Sequence, residues 1–416
     1  MPMSLSLPMP SSHHSYLHIP FCRQKCPYCK FALTPVFDAA KKRRYIAHLK
    51  KEIQDFFLSS SQRELLPANS GRDSHPENDK KNGTIYFGWG TPSVLSLDEV
   101  RELLELFPWR DSAEISFECN PEDITSDYVD WLFERWINRL SIGVQSLNNE
   151  TLKAIHRSDR ESIFRALRNI ISSLLLFSQW ESMKISLLSS LRSEDLSDTD
   201  AHSENDKQEI SLNIDFILGL PFSKPWETLE SIRELHQQFP CITHTSVYML
   251  EDGHYPKWWQ ENSMDEEAIE KEYWEICTYF TSIGWHHYEI SNWSKGGYEC
   301  RHNQSYWDHS EYHGFGLSAT SFSGSTRSEK SASFAWYYRS EMSYEDLLDQ
   351  EDIALERIIY GIRTFSLPEE DFDRSILSTL QEKWYIQIEN GHILLTPTWI
   401  FRENTIISTL IGNMPP

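Results

Sequence analysis

Apolar residues fall in short runs that alternate with amphipathic stretches along most of the chain. Runs at 16–19, 84–87, 114–118, 139–145, 184–188, 213–219 and 243–250 have strand length and strand composition. Between them lie stretches of helical period. The clearest follows the first run: Tyr45, Ile46, Leu49, Ile53, Phe56 and Phe57 recur at three- and four-residue steps. Segments 126–136 and 225–239 read as two further helices entered from turn-forming residues. Strand followed by helix, six or seven times over, predicts βα units around a parallel sheet that curves into a full or partial barrel.

The alternation stops near Tyr312. Segments 354–365 and 369–383 read as helices and 385–395 as a hairpin turning at Asn390-Gly391, predicting a small C-terminal α+β domain of winged-helix type. The expected division is therefore 1–310 for the barrel and 311–416 for the appendage. Two stretches, 59–83 and 192–211, are rich in Ser, Asp, Glu, Asn and Lys and read as polar insertions. The second is acidic enough to read alternatively as a docking surface.

Charge narrows the partners. Against 39 Lys and Arg stand 62 Asp and Glu, a formal net charge of −23, which repels a phosphate backbone and argues against nucleic acid. Nowhere do about 18 apolar residues run together as a spanning helix requires, and the stretch MPMSLSLPMPSSHHS lacks the basic start and continuous apolar core expected of a secretory leader. Seven cysteines are too few for a disulfide scaffold in 416 residues. Three of them crowd into eight positions, which points to metal ligation in a reducing compartment and so to the cytoplasm.

These three are Cys22, Cys26 and Cys29 in YLHIPFCRQKCPYC, spaced C-x3-C-x2-C. Three thiolates can hold three irons of a 4Fe-4S cube and leave the fourth open to an external ligand. The open iron suits the amino and carboxylate groups of S-adenosylmethionine, whose sulfonium bond an electron from the cluster can break. Structural zinc is the alternative; it takes four ligands, and Cys119, Cys241, Cys277 or Cys300 would have to supply the fourth. The turn GWGTPS directly follows the run at 84–87, and glycines at a strand end let backbone approach a ligand. Glu118, Gln145 and Asp215 sit at or near the ends of later runs, where parallel barrels build their sites.

These motifs resemble the radical S-adenosylmethionine family of oxygen-independent coproporphyrinogen oxidases and the HemW-type haem chaperones. The resemblance rests on HIPFC…C…YC, GWGTPS, ECNPED (118–123), RLSIGVQS (139–146), NIDFILGLP (213–221) and YEISNW through RHNQSYW (288–307). It implies that Tyr16, Gly90, Thr91 and Glu118 hold the methionine moiety of the cofactor. It further implies that Tyr28 beside the cluster cysteines and Gln145, Arg157 and Asp215 line the neighbouring cofactor site. Where the oxidases have a further cysteine two positions after the third, this chain has Phe31, and only 21 residues precede Cys22 where the oxidases carry an extension. Both differences favour the chaperone branch, with radical decarboxylation of coproporphyrinogen as the alternative activity and another porphyrinoid modification as a third. The HNxxYW pattern of His302, Asn303, Tyr306 and Trp307 resembles that branch's haem-associated motif and suggests His302, or its neighbour Cys300, as a haem ligand. Haem as cargo, haem-acceptor proteins, and an electron donor such as flavodoxin or ferredoxin follow from the same resemblance. One departure concerns the glycine turn: Trp89 stands where the family has glycine.

Overall fold

A computed structural model describes residues 14–30, 32–35, 38–63, 83–191, 210–250, 253, 255–372, 374–383, 385–389 and 391–395. Phe31, Asn390 and nearly all of both polar insertions lie outside these residues; of the first insertion, 59–63 closes a helix.

Six parallel strands carry the fold: β1 (His14–His18), β2 (Thr84–Gly88), β3 (Glu114–Cys119), β4 (Arg139–Gln145), β5 (Ser211–Leu218) and β6 (His244–Met249). They pair in chain order, in register from His14↔Thr84 through Asp215↔Ser246. Helices α1 (Ala39–Arg63), α2 (Leu97–Leu104), α3 (Ser126–Glu134), α4 (Asn149–Ala154), α5 (Arg160–Leu191) and α6 (Glu227–Gln238) make the crossovers.

The two faces of this sheet differ, and the difference is written in period two. Leu17, Ile85, Phe87, Ile115, Phe117, Leu140, Ile142, Leu212, Ile214, Phe216 and Val247 are fully buried against the helical layer. The alternate positions are polar: Glu114, Ser116 and Glu118 on β3, Arg139 and Ser141 on β4, Asn213 and Asp215 on β5, His244 and Ser246 on β6. A parallel sheet buried on both faces would be apolar throughout. Here one face instead lines a polar cavity.

Antiparallel strands extend both edges. β7 (His286–Glu289) and β8 (Asn292–Ser294) follow β6. At the other edge β9 (Tyr312–Phe315) pairs parallel with β1 and is continued by β10 (Thr320–Ser323), β11 (Thr326–Lys330) and β12 (Met342–Leu347). The sheet thus crosses the expected boundary at 310/311. A separate small core forms only beyond it, where Ile358, Ile362, Leu377, Leu380, Ile386 and Ile393 pack two helices, Gln350–Arg363 and Arg374–Glu382, on a three-stranded sheet. The hairpin expected at 385–395 pairs Ile386–Glu389 with His392–Leu395.

One expected strand is wrong: 184–188 lies inside α5. From Arg160 to Leu191 no Gly or Pro interrupts the chain, and once nucleated a helix propagates cheaply through such residues. The expected helix at 369–383 is likewise split, into a 3-10 turn at Glu369–Asp371 and the helix Arg374–Glu382.

Candidate functional site

The cysteine loop leaves β1 at the C-terminal end of the strands. Phe21–Cys22 forms a short parallel bridge with Thr34–Pro35, and the Cys29 amide donates to the Cys26 carbonyl at 3.1 Å, closing a turn that brings the second and third cysteines together. The loop is tied to the barrel rim. Arg23 donates to Asp123 Oδ1 at 2.6 Å, and the Ser93 hydroxyl donates to the other oxygen of the same carboxylate at 2.7 Å.

Cys22, Cys26 and Cys29 line one chamber of about 150 Å³, together with Gly90, Thr91 and Arg157. The Thr91 hydroxyl donates to Cys22 Sγ at 3.2 Å. Burial pushes the Cys22 thiol up to about 11, so without a metal it is protonated. Burial opposes the charge of Arg157, but the neighbouring Tyr28 and Cys26 hold its pKa above the ordinary arginine range. Its guanidinium donates to Asn120 Oδ1 at 2.7 Å and to the Gly143 carbonyl. Three soft sulfur donors with a fixed cation beside them suit a thiolate-bound, anionic iron–sulfur cluster. Among the described residues no three His, Cys, Asp or Glu side chains converge on a single ion.

Gly90 shows why the turn after β2 is glycine-rich. A Cβ there would lie 1.9 Å from the Ile19 carbonyl oxygen and 2.9 Å from the Phe21 nitrogen, both backbone atoms of the segment leading into the cysteines. Gly90→Ala is therefore expected to displace the cysteine loop and cost about 3 kcal/mol of stability. Chemical denaturation of the metal-free protein, alongside its iron content after reconstitution, checks both effects.

Glu118 stands between this chamber and a larger cavity of about 670 Å³ that runs down the barrel interior. Its carboxylate accepts from the Tyr86 hydroxyl at 2.8 Å and the Trp89 amide at 2.9 Å. Burial, and then the nearby Asp215, push its pKa up to about 7. The folded protein therefore holds a proton that the unfolded chain loses above about pH 4.5, and this contribution lowers stability as pH rises through that window. Glu118→Gln in the cofactor-free protein should reduce the stability lost between pH 5 and pH 8 by about 1–2 kcal/mol, the linkage value being cut by water in the cavity. Urea titrations at the two pH values measure it.

Gln145 reaches the cavity by a bulge. Pairing with β5 slips between Gly143 and Gln145, and Gln145 takes φ +65°, which re-aims its side chain. Asp215 accepts from Ser141 at 2.6 Å and from Asn213 at 2.7 Å, and burial raises its pKa. Asn213 also donates to Ser246 at 3.1 Å, and its Oδ1 accepts from His244 Nδ1 at 2.7 Å, so three adjacent strands share one polar network. Ser141, Asn213, Ser246, His244 and Tyr86 were not among the expected site residues. Their signal is the polar half of the period-two pattern within otherwise apolar strands.

Of the expected set, Tyr28, Cys29, Glu118, Gln145 and Asp215 line both cavities, and Cys22, Cys26, Gly90, Thr91 and Arg157 line the smaller one. Two are not brought there. Tyr16 is buried behind the wall, its ring 6.1 Å from Tyr86 and 6.0 Å from Trp89, and its hydroxyl has no hydrogen-bond partner. His302 is only 1 % exposed; its ring stacks on Tyr86 at 5.0 Å, Nδ1 lies 2.6 Å from the Thr84 hydroxyl and Nε2 2.9 Å from that of Tyr306. Both ring nitrogens of His302 are thus engaged, and the residue lines neither of the two cavities. Cys300, its rival, lines the larger cavity with Sγ 3.6 Å from Glu114.

Residues 16–174, which hold the cysteine loop, the glycine turn, Glu118 and Gln145, match the Radical SAM superfamily. The chain carries a radical SAM domain. Similar curated proteins include the heme chaperone HemW of Bacillus subtilis, 26 % identical over 96 % of this chain and 99 % of that protein. Those of Lactococcus lactis and Escherichia coli are 27 % and 28 % identical, over 84 % and 73 % of this chain and 81 % and 68 % of their own lengths. Among solved structures, the Escherichia coli coproporphyrinogen III oxidase HemN, a radical SAM enzyme, matches 96 % of this chain and 89 % of its own with a TM-score of 0.66 and 20 % identity. The fold is thus that of a radical SAM protein, a large and mostly parallel α/β sheet. Among the described residues no helix is long and apolar enough to cross a membrane.

Proposed function

We propose that this chain is a haem chaperone: it binds haem, holds a 4Fe-4S cluster on Cys22, Cys26 and Cys29 with S-adenosylmethionine beside it, and passes the haem to acceptor proteins. The observation that carries the reading is the pairing of a small chamber walled by the three cysteines with an adjoining cavity of about 670 Å³ that shares Cys29, Glu118 and Asp215 with it. Cavities of roughly 300–1,000 Å³ are those that hold cofactor-sized ligands. The radical SAM domain and the heme chaperones among its relatives support the same assignment.

When bound, the cluster and S-adenosylmethionine supply reductive cleavage of a sulfonium carbon–sulfur bond. The chain's own residues bind and orient. Gly90 lets the rim backbone close on the cysteine loop, and Thr91 offers a hydroxyl to Cys22. Arg157 places positive charge beside Cys26, and Glu118 and Asp215 offer carboxylates to an amine or to ribose hydroxyls. Gln145, turned inward by its bulge, adds an amide to the same wall. An electron donor such as flavodoxin or ferredoxin and the small C-terminal α+β domain, read as winged-helix-like, belong to the proposal.

The test is one anaerobic preparation split in two. One half is titrated with haemin and followed by its absorbance; the other is given coproporphyrinogen, S-adenosylmethionine and a reductant. Haem binding with no release of carbon dioxide is expected, in line with Phe31 at the position of the oxidases' further cysteine. Conversion to protoporphyrinogen would make the chain an oxidase and end the chaperone reading.

A further inference from the structure

Trp89 combines two features that cost the ligand-free chain. Its φ is +78°, a left-handed backbone that glycine adopts freely and a bulky residue does not, and its indole remains 42 % exposed. The conformation is held in place: its amide is bound by Glu118, and its ring meets the edges of Tyr16 and His18 at 6.0 and 5.7 Å. Outliers that surrounding structure over-determines in this way cluster at ligand-binding sites.

A second ring shares the feature of open surface facing the same space. Tyr248 is 43 % exposed, yet burial pushes its phenol well above the ordinary tyrosine range. Surface that is accessible but enclosed opens onto the cavity, and Tyr248 follows His244 and Ser246 on the inward face of β6. Trp89 directly follows β2 and Tyr248 lies on β6, four strand positions away in the curved sheet, and both line the cavity of about 670 Å³. Arg139 and Arg363 line it too; each faces a carboxylate, Glu114 at 3.4 Å and Glu289 at 3.5 Å, and the buried Arg139 Nη1 has no hydrogen-bond partner, so a guanidinium donor is left for an acceptor in the cavity.

We propose that Trp89 and Tyr248 are the two walls of an aromatic slot that receives the flat conjugated ring of a tetrapyrrole carrying carboxylate groups. The inference rests on the haem-binding reading and names where in the barrel that cargo sits. A planar macrocycle covers both exposed rings at once and presents its carboxylates to the arginines, which an apolar planar compound would not use.

Trp89→Gly, Trp89→Phe and Tyr248→Ala are compared with the parent protein, each reconstituted anaerobically and titrated with haemin and, separately, with S-adenosylhomocysteine. The expected result is a haemin dissociation constant raised about tenfold in Trp89→Gly and in Tyr248→Ala, with Trp89→Phe close to the parent. Trp89→Gly should also melt no lower than the parent, since glycine suits its backbone, so the loss of haem cannot be attributed to loss of fold. Unchanged haemin binding in both Trp89→Gly and Tyr248→Ala overturns the slot while leaving the chaperone reading intact. Weakened S-adenosylhomocysteine binding with unchanged haemin binding also overturns it, because the rings would then serve an adenine. A parent protein that binds no haemin overturns the reading beneath it.

Discussion

Anaerobic reconstitution is expected to give about four irons and four sulfides per chain, and replacement of any one of Cys22, Cys26 or Cys29 by Ala to reduce both to near zero. The expectation comes from how the other cysteines are placed. Cys119 follows Glu118 on β3 and borders the chamber of the three cysteines, but its thiol belongs to the helical-side core, with Sγ 4.0 Å from the Phe117 carbonyl. Cys241 and Cys277 pack against the same core, and neither lines the chamber of the cysteine loop. Replacing Cys119, Cys241 or Cys277 by Ser should leave iron content unchanged. Far-UV circular dichroism should be unaltered by the cysteine-loop substitutions, because beyond the bridge at Phe21–Cys22 the loop contributes no regular structure. A colourless wild-type protein holding one zinc tightly would refute the cluster assignment.

How much of this was legible in the sequence depends on the range of the interaction that decides it. The cysteine spacing, the glycine turn and the carboxamide and carboxylates at strand ends are local, and the parallel barrel delivers strand ends to one rim by construction. Tyr16 shows the limit. Its place on an inward face was readable, but not that Tyr86 and Trp89 from the neighbouring strand and its turn would stand in front of it. The parallel pairing of β1 with β9 joins residues nearly three hundred positions apart, and the polar composition of β10 to β12 gives no sign that they prolong the barrel sheet. The mistaken strand at 184–188 has the opposite cause: a short apolar run reads the same in either period, and the unbroken helix before it decided the outcome. Trp89 was conspicuous as a departure from the glycine turn. Its left-handed φ, and the shared cavity with Tyr248, required coordinates.

Substitution of His302 by Ala should cost about 2–4 kcal/mol of stability and leave the haem spectrum of the folded protein unchanged. In the motif it resembles, His302 has the chemistry of an axial ligand, and a neutral imidazole is what burial gives it, its pKa being held well below the ordinary value by desolvation and then by His14. The structure uses that imidazole differently. It bridges the Thr84 hydroxyl on β2 and the Tyr306 hydroxyl on the helix Arg301–Trp307 while its face rests on Tyr86, so it ties that helix to the sheet from inside. The N-terminus of the same helix is held by Glu114, whose carboxylate accepts from the Arg301 and His302 amides at 3.2 and 3.1 Å and faces the buried Arg139 at 3.4 Å. Removing the ring leaves a cavity and two hydroxyls that lose a partner each, and urea denaturation reads the sum. Haem coordination would require Tyr306 or Thr84 to release a ring nitrogen and the helix to turn outward, a rearrangement for which the packed Tyr306–Tyr312 pair at 4.6 Å leaves little room. Loss of the haem spectrum in a variant that remains folded would show that the helix does open on binding, and would return His302 to the ligand position. Retention of the spectrum turns attention to Cys300, which lines the cavity itself.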